Sequence, residues 1–248
     1  MTAPLTSIPF QYSGEDLEVL AAMRNYRAWM LSWMRPFIQG RTLEIGAGCG
    51  SISREILPWA DQLTLLEPDA ALCTRLHDRF ALDAPRVAVI QDRAETHLHA
   101  RNSEAVDSIV LINVLEHIPD DQQLLHDISR VLTGNGHLLL FVPALPILYA
   151  AMDAHLGHCR RYLRTPLIQQ VEAAGLQIVL ARYFDLPGIF SWLLLKATRS
   201  VAFNPAMVRI YDRWIVPPTR WLEQRITPPA GKNLLLVARK SQASPWPP

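Results

Sequence analysis

The sequence has few of the features that staple, anchor or repeat a chain. Three cysteines occur, Cys49, Cys73 and Cys159, and none is spaced as a metal-binding C-x-x-C. The odd count, with no basic-then-apolar leader at the N-terminus, leads to the expectation of reduced thiols and a cytoplasmic location. Apolar runs such as Ile189 to Leu195, broken by Ser191, fall far short of the ~20 residues that span a bilayer. Internal repeats and low-complexity segments are lacking. At 248 residues, 50% hydrophobic and 19% charged, the chain can build one domain with a substantial core. That domain is expected over residues 1–240, with a loose arm at 1–12 and a disordered tail at 241–248.

The net charge of +1 conceals an asymmetry. Residues 1–150 carry 11 basic and 18 acidic side chains, whereas residues 151–248 carry 13 and 5. A basic C-terminal part fits an anionic substrate or membrane surface, or equally an arginine-rich solvated face.

Val19, Ala22, Tyr26, Trp29, Trp33 and Phe37 recur at three- and four-residue steps. This spacing predicts an amphipathic helix that starts near Ser13-x-x-Asp16 and ends before Gly40. Strands are then expected at 42–45, 62–66, 86–90, 106–112 and 137–142, with helices at 51–57, 69–80 and 119–132. The alternation predicts an α/β fold, a doubly wound and mostly parallel sheet covered on both faces. A connection rich in Tyr, His and Arg follows at 143–164. A helix from Thr165-Pro166 to Ala174, a strand at 176–183, a helical insertion or lid at 186–228 and a last strand at 233–239 complete the chain. Trp192, Trp214 and Trp221 of the insertion are expected to pack in the core or lid.

Ligands of such sheets bind beyond the carboxyl ends of the strands, near the point where strand order reverses. The chemistry-bearing residues fall there. Glu44-Ile45-Gly46-Ala47-Gly48-Cys49-Gly50 runs from a strand into a Gly-x-Gly-x-Gly turn, whose glycines admit a ligand close to the backbone. The spacing differs from the Gly-x-Gly-x-x-Gly of dinucleotide sites. An acid inside the strand end suits an α-amino group, which S-adenosylmethionine (SAM) has and NAD lacks. Glu67, twenty-one positions beyond Gly46, could accept from two ribose hydroxyls. Asp92 ends the third strand and could accept from an adenine amino group. Asn113 follows the fourth strand, with His117 shortly after.

The glycine segment, Glu67-Pro68-Asp69, Asp92-Arg93-Ala94 and Asn113-Val114-Leu115-Glu116-His117-Ile118 together resemble the class I SAM-dependent methyltransferases. Within them, the set is similar to the branch of ubiquinone-biosynthesis-type small-molecule enzymes. The resemblance implies a Rossmann-like, seven-stranded sheet whose last strand is antiparallel, with SAM as cofactor and S-adenosylhomocysteine as product. It implies cofactor contacts from Glu44, Gly46, Ala47, Gly48 and Gly50 at the turn and methionine end. Glu67 would meet the ribose, Asp92 the adenine and Asn113 the methionine end, with Pro68, Arg93, Ala94 and Val114 as further cofactor contacts.

A further string, Tyr149-x-x-x-Asp153-x-x-x-Gly157-His158-x-Arg160-Arg161-Tyr162, resembles a bacterial subgroup of these enzymes, as does Arg24-Asn25-Tyr26. Tyr26, Tyr149, Asp153, Arg160, Arg161 and Tyr162 are therefore the expected substrate contacts. Arg160, Arg161 and Arg164 could hold a carboxylate or phosphate; alternatively, Arg160 and Arg161 could pin the loop by pairing with Asp153 and Glu172. His158, with His117 second, is the expected base, since histidine takes up protons near neutral pH. No metal is expected, because the cofactor supplies the electrophile of an in-line displacement.

The expected function is methyl transfer to an O or N atom of a small molecule, anionic or lipid-linked. The alternatives are an NAD(P)-dependent oxidoreductase and a non-catalytic SAM-binding module. No Asn/Asp-Pro-Pro-aromatic string follows the fourth strand, so nucleic acid is not an expected partner. Any membrane contact is expected to be peripheral, and the oligomeric state is open.

Overall fold

The computed structural model describes residue 19 and residues 21–100 and 105–240. The arm expected at 1–12, the helix start expected near residue 13 and the tail at 241–248 lie outside them. In chain order the first elements are α1 (Arg24–Met34), β1 (Arg41–Ile45), α2 (Ser51–Ile56), β2 (Gln62–Glu67) and α3 (Ala70–Arg79). They continue as β3 (Val87–Gln91), α4 (Ala94–His99), β4 (Val106–Ile112), α5 (Asp121–Val131) and β5 (Leu132–Pro143). The second part holds α6 (Ala151–His155), α7 (Arg164–Ala173), β6 (Leu176–Phe184), α8 (Gly188–Thr198) and α9 (Pro205–Ile210). A π-turn at Tyr211–Ile215 leads into α10 (Val216–Glu223), and β7 (Asn233–Lys240) completes the sheet.

The strands form one sheet in the order β3-β2-β1-β4-β5-β7-β6. β7 runs antiparallel to β5 and β6, and the other pairs are parallel. β5 shows why the sheet is covered on both sides. Leu138, Leu140 and Val142 enter one hydrophobic cluster, and Leu139 and Phe141 enter the other, by two-residue alternation. A strand apolar at every position needs helices on both faces. α5 supplies Leu124, Leu125, Ile128 and Val131 to the first cluster, and α1 supplies Trp29, Met30 and Met34 to the second. The Asp69 side chain accepts from the amides of Ala71 and Leu72 at 2.8 and 2.9 Å and so starts α3, a cap worth ~1 kcal/mol.

The insertion between β6 and β7 is tied down by its two acids. Glu223 accepts from the amides of Asp185 at 3.2 Å and Leu186 at 2.9 Å. Asp212 accepts from the amides of Asn25 at 3.2 Å and Tyr26 at 2.9 Å. Those amides belong to the first turn of α1, whose own N-cap residue Met23 offers no side-chain acceptor. The insertion thus caps α1 from across the fold, with a carboxylate at the positive end of the helix.

Three features depart from the sequence reading. α4 had no expected counterpart, α6 falls inside the expected connection, and β5 begins at Leu132. Trp192 is buried as expected, but Trp214 and Trp221 are 64% and 59% exposed. Neither packs in a core, because both sit on the outer face of the insertion.

Candidate active site

Strand order reverses between β1 and β4, so the turns that follow these two strands border one crevice. The turn after β1 depends on glycine. At Gly46, φ is 72° and a Cβ would come within 2.5 Å of Val114 Cγ2. At Gly50, φ is 74° and a Cβ would meet Leu76 and Phe80 at 2.8 Å. Only a residue without a side chain passes this close in a left-handed conformation. Glu67 braces the turn from the end of β2. Its Oε2 accepts from the Gly48 amide at 2.8 Å and its Oε1 from the Asp69 amide at 3.0 Å. Burial pushes the Glu67 carboxyl above its ordinary pKa, against the pull of those amides.

Glu44 lies deeper. It is buried, and its Oε2 has no hydrogen-bond partner among the described residues. Burial pushes its pKa up to about 8, with the Ser53 hydroxyl pulling the other way. A buried acid with an orphaned oxygen is costly until a donor reaches it. The chemistry of this cradle therefore fits a ligand that carries an ammonium group.

The crevice itself is a cavity of about 120 Å³. Gly46, Gly48, Glu67, Pro68, Asp92, Arg93, Ala94, Asn113 and Val114 of the expected cofactor contacts line it, as does His117. Glu44, Ala47 and Gly50, also expected as cofactor contacts, are not among its lining residues. A second cavity, of about 430 Å³, lies under the insertion. Its walls are chiefly apolar, from Phe141, Leu156, Trp192, Leu195, Phe203 and Val208, with Tyr26, His158, Arg161, Lys232 and Asn233 as polar groups. Asn113 borders both cavities. Its φ of 53° is uncommon for a residue with a side chain, and its amide is held by Phe141 O at 2.8 Å.

Within the larger cavity, the Tyr26 hydroxyl donates to Asn233 Oδ1 at 3.1 Å. Burial, reinforced by Asp185, pushes the Tyr26 phenol well above its ordinary pKa, so it stays a neutral donor. Lys232 Nζ stands 3.4 Å from Asp185 Oδ2 and 5.0 Å from the centre of the Tyr26 ring.

The 149–162 string is organised around Asp153. Its Oδ1 accepts from His158 Nδ1 at 2.9 Å and from Arg161 Nε at 2.8 Å. Its Oδ2 accepts from the Ala150 amide at 2.9 Å and Trp192 Nε1 at 3.2 Å. Burial raises the Asp153 pKa, but the bonds from His158 and Arg161 outweigh it and hold the carboxyl below its ordinary value. An ionised carboxylate only accepts, so His158 Nδ1 carries a hydrogen and Nε2 is left as the basic nitrogen.

By position, the six expected substrate contacts divide. Tyr26 and Arg161 line the larger cavity. Tyr149, Asp153, Arg160 and Tyr162 instead spend their polar atoms on the chain itself. The Tyr149 hydroxyl donates to His158 O at 2.7 Å, and the Tyr162 hydroxyl lies 2.9 Å from Asp121 Oδ2. Arg160 pairs with Asp121 at 2.8 Å rather than with Glu172. Arg161 pairs with Asp153, the loop-pinning partner named from the sequence.

His117 sits on the crevice side, its Nδ1 3.3 Å from Gly157 O and its ring edge-on to that of His158 at 4.8 Å. Burial, with His158 beside it, drives its pKa down to about 4. Glu116, which the sequence reading did not single out, is fully buried with Oε1 3.9 Å from His158 Nε2. Glu116, His117 and His158 bring ligand-type atoms within 4.8 Å of one another, a donor set that could hold a divalent metal. The Arg161 guanidinium acts on the same glutamate and opposes a second cation. Lys232 and Asn233 were also missed. They flank the start of β7, and only the fold brings them to the cavity.

Residues 43–138 match the family model described as a methyltransferase domain. The fold is that of the SAM-dependent methyltransferases. None of the curated proteins compared with the chain matches it. Among solved structures, a SAM-dependent methyltransferase of Archaeoglobus fulgidus shares the methyltransferase fold with a TM-score of 0.57 at 13% identity, over 88% of this chain and 94% of its own. "Phospholethanolamine N-methyltransferase 2" of Haemonchus contortus, in complex with phosphomonomethylethanolamine and S-adenosylhomocysteine, gives 0.60 at 14% identity, over 92% and 58%. The [4+2]-cyclase SpnF gives 0.59 at 19% identity, over 88% and 82%. At these identities the likeness is one of fold. The methyltransferase-domain match spans the glycine turn and the strands that carry it, and stops before the 149–162 string and the insertion.

Proposed function

We propose that this methyltransferase moves the methyl group of SAM to an oxygen or nitrogen of a small, largely apolar molecule in the larger cavity. One observation carries the reading. Asn113, fixed at the end of β4, borders both the glycine-turn crevice and the apolar cavity, so donor and acceptor can meet beside a single residue. The residues present fit SAM. The orphaned oxygen of Glu44 suits its ammonium, Glu67 its ribose and Asp92 its adenine amino group, with Leu72 and Ile118 as apolar walls.

When bound, SAM supplies an electrophilic methyl group. The chain's part is to exclude water, hold the acceptor in line and take up a proton. His158 is the base of this reading, since Asp153 fixes its Nδ1–H and its ring lines the acceptor cavity. His117, neutral down to about pH 4, is a weaker proton acceptor. Arg161 and Lys232 place two cations among apolar walls, which suits a lipid-like body bearing an anionic or carbonyl oxygen.

The oxidoreductase alternative finds no support, because β7 lies antiparallel between β5 and β6, where dinucleotide folds run on as 4-5-6. A second reading, SAM binding with chemistry other than methyl transfer, draws on the likeness to the cyclase. Calorimetry with SAM and S-adenosylhomocysteine, then an acceptor screen scored by S-adenosylhomocysteine release, separates the two. Binding without release from any hydroxyl or amine acceptor favours the second reading, and no binding at all removes both.

A further inference from the structure

The insertion concentrates the exposed apolar surface of the molecule. Of the fifteen exposed large hydrophobic side chains among the described residues, eleven lie between residues 190 and 226. On α8, Phe190, Leu193 and Leu194 share one face by three- and four-residue spacing, and Met207, Ile210 and Trp214 do the same from α9 into the π-turn. The stretch 186–228 also holds six Lys and Arg against two acids. Both acids, Asp212 and Glu223, are buried in the tethers already described, so the outer face carries cations alone.

Exposed tryptophan, leucine and arginine concentrated in one helical insertion is the composition of helices that lie in a bilayer interface. Arg213 stands 5.4 Å over the Trp214 ring and Arg225 4.2 Å over the Trp221 ring, so each aromatic body has a cation beside it. Leu194 and Met207, 61% and 58% exposed, also line the larger cavity, so the exposed face runs into the cavity wall. No helix among the described residues is long and apolar enough to cross a membrane.

We propose that α8, α9 and α10 dock the protein on an anionic lipid bilayer, with the exposed tryptophan and leucine side chains at the headgroup boundary and the arginines on the lipid phosphates. A second copy of the chain is a poorer occupant, because two such faces would press cation against cation with no exposed acid to pair. Docking places the apolar cavity beside the membrane, where a lipid-soluble acceptor resides. Docking does not require methyl transfer, so vesicle binding and SAM binding can fail separately.

The test is co-sedimentation of the full chain with vesicles of phosphatidylcholine alone and of equimolar phosphatidylcholine and phosphatidylglycerol, with light scattering of the free protein. The expected result is pelleting with the anionic vesicles, weakened about tenfold or more by high salt or by omitting phosphatidylglycerol. Trp214→Ser with Trp221→Ser should weaken pelleting about tenfold, at unchanged SAM affinity and melting temperature. The lipid and salt dependence of the unmodified protein stands even where that variant fails to fold. Absence of pelleting, equal pelleting with neutral vesicles, or a dimer that the two serine substitutions dissociate would overturn the proposal.

Discussion

His158 Nδ1 and Asp153 Oδ1 lie 2.9 Å apart, and Arg161 Nε shares the same oxygen at 2.8 Å. One buried carboxylate therefore sets both the tautomer of the histidine and the position of the guanidinium that line the larger cavity. Asp153→Asn keeps the shape and removes the charge. Arg161 would be left buried without its counter-ion, at a cost of about 3–5 kcal/mol. Urea denaturation reads this as a lower midpoint at unchanged slope. A loss below about 1 kcal/mol would mean that Arg161 does not depend on this partner.

His158→Ala should lower turnover by about 10²–10⁴-fold while SAM affinity changes little. Single-turnover kinetics beside calorimetry separates the two effects. Equal losses in both would make the ring a wall of the cavity and not a base.

On the proposed reading, in which Glu44 takes the SAM ammonium, cofactor binding is linked to pH. The folded pKa of Glu44, about 8, lies above the ordinary 4.5, so between these values the folded chain holds a proton that the unfolded chain has lost. Stability should fall as pH rises through that window, by a few kcal/mol at most. Glu44→Gln removes the slope, so the variant should gain on the parent protein at pH 8 and not at pH 5. An arriving ammonium would restore the charged carboxylate, so SAM binding at pH 7 should release a proton. Calorimetry in buffers of different ionisation enthalpy measures it, and a buffer-independent enthalpy would place the ammonium away from Glu44.

His117 has the opposite sign. Its folded pKa of about 4 lies below the ordinary 6.5, so on acidification the unfolded chain is protonated first. The protein should lose stability between pH 6.5 and pH 4, by up to about 3 kcal/mol before solvent screening is discounted. His117→Gln should flatten that part of the stability curve. An unchanged curve would assign the acid sensitivity to other groups.

Gly46→Ala drives a Cβ to 2.5 Å from Val114 Cγ2 at a φ of 72°. The clash and the strained backbone together should cost about 2–4 kcal/mol and weaken SAM binding. Val114→Ala in the same chain should recover only the part due to the clash. Full recovery would show that the left-handed backbone costs little at this position.

The parts legible in the sequence are those written locally. Strands apolar at every position, a glycine turn and acids at strand ends are short-range patterns, and they gave the sheet and the crevice. The 149–162 string was visible as chemistry but not as geometry. Whether Arg160 faces a ligand or Asp121 depends on α5, some forty residues away. Lys232 reaches the cavity only because β7 pairs between β5 and β6. The tryptophans mark the other limit. Periodicity defines a helix face, but which faces find a partner is decided by tertiary packing, and Trp214 and Trp221 face outward.

Asp212 gives the insertion a grip on α1 through the amides of Asn25 and Tyr26, and Tyr26 is itself part of the cavity wall. Any swing of the covering helices that lets a bulky guest enter would leave those two N–H groups facing solvent. The deuterium uptake of Asn25 and Tyr26 would then tick in step with the opening, a built-in clock for how often the chamber is unlocked.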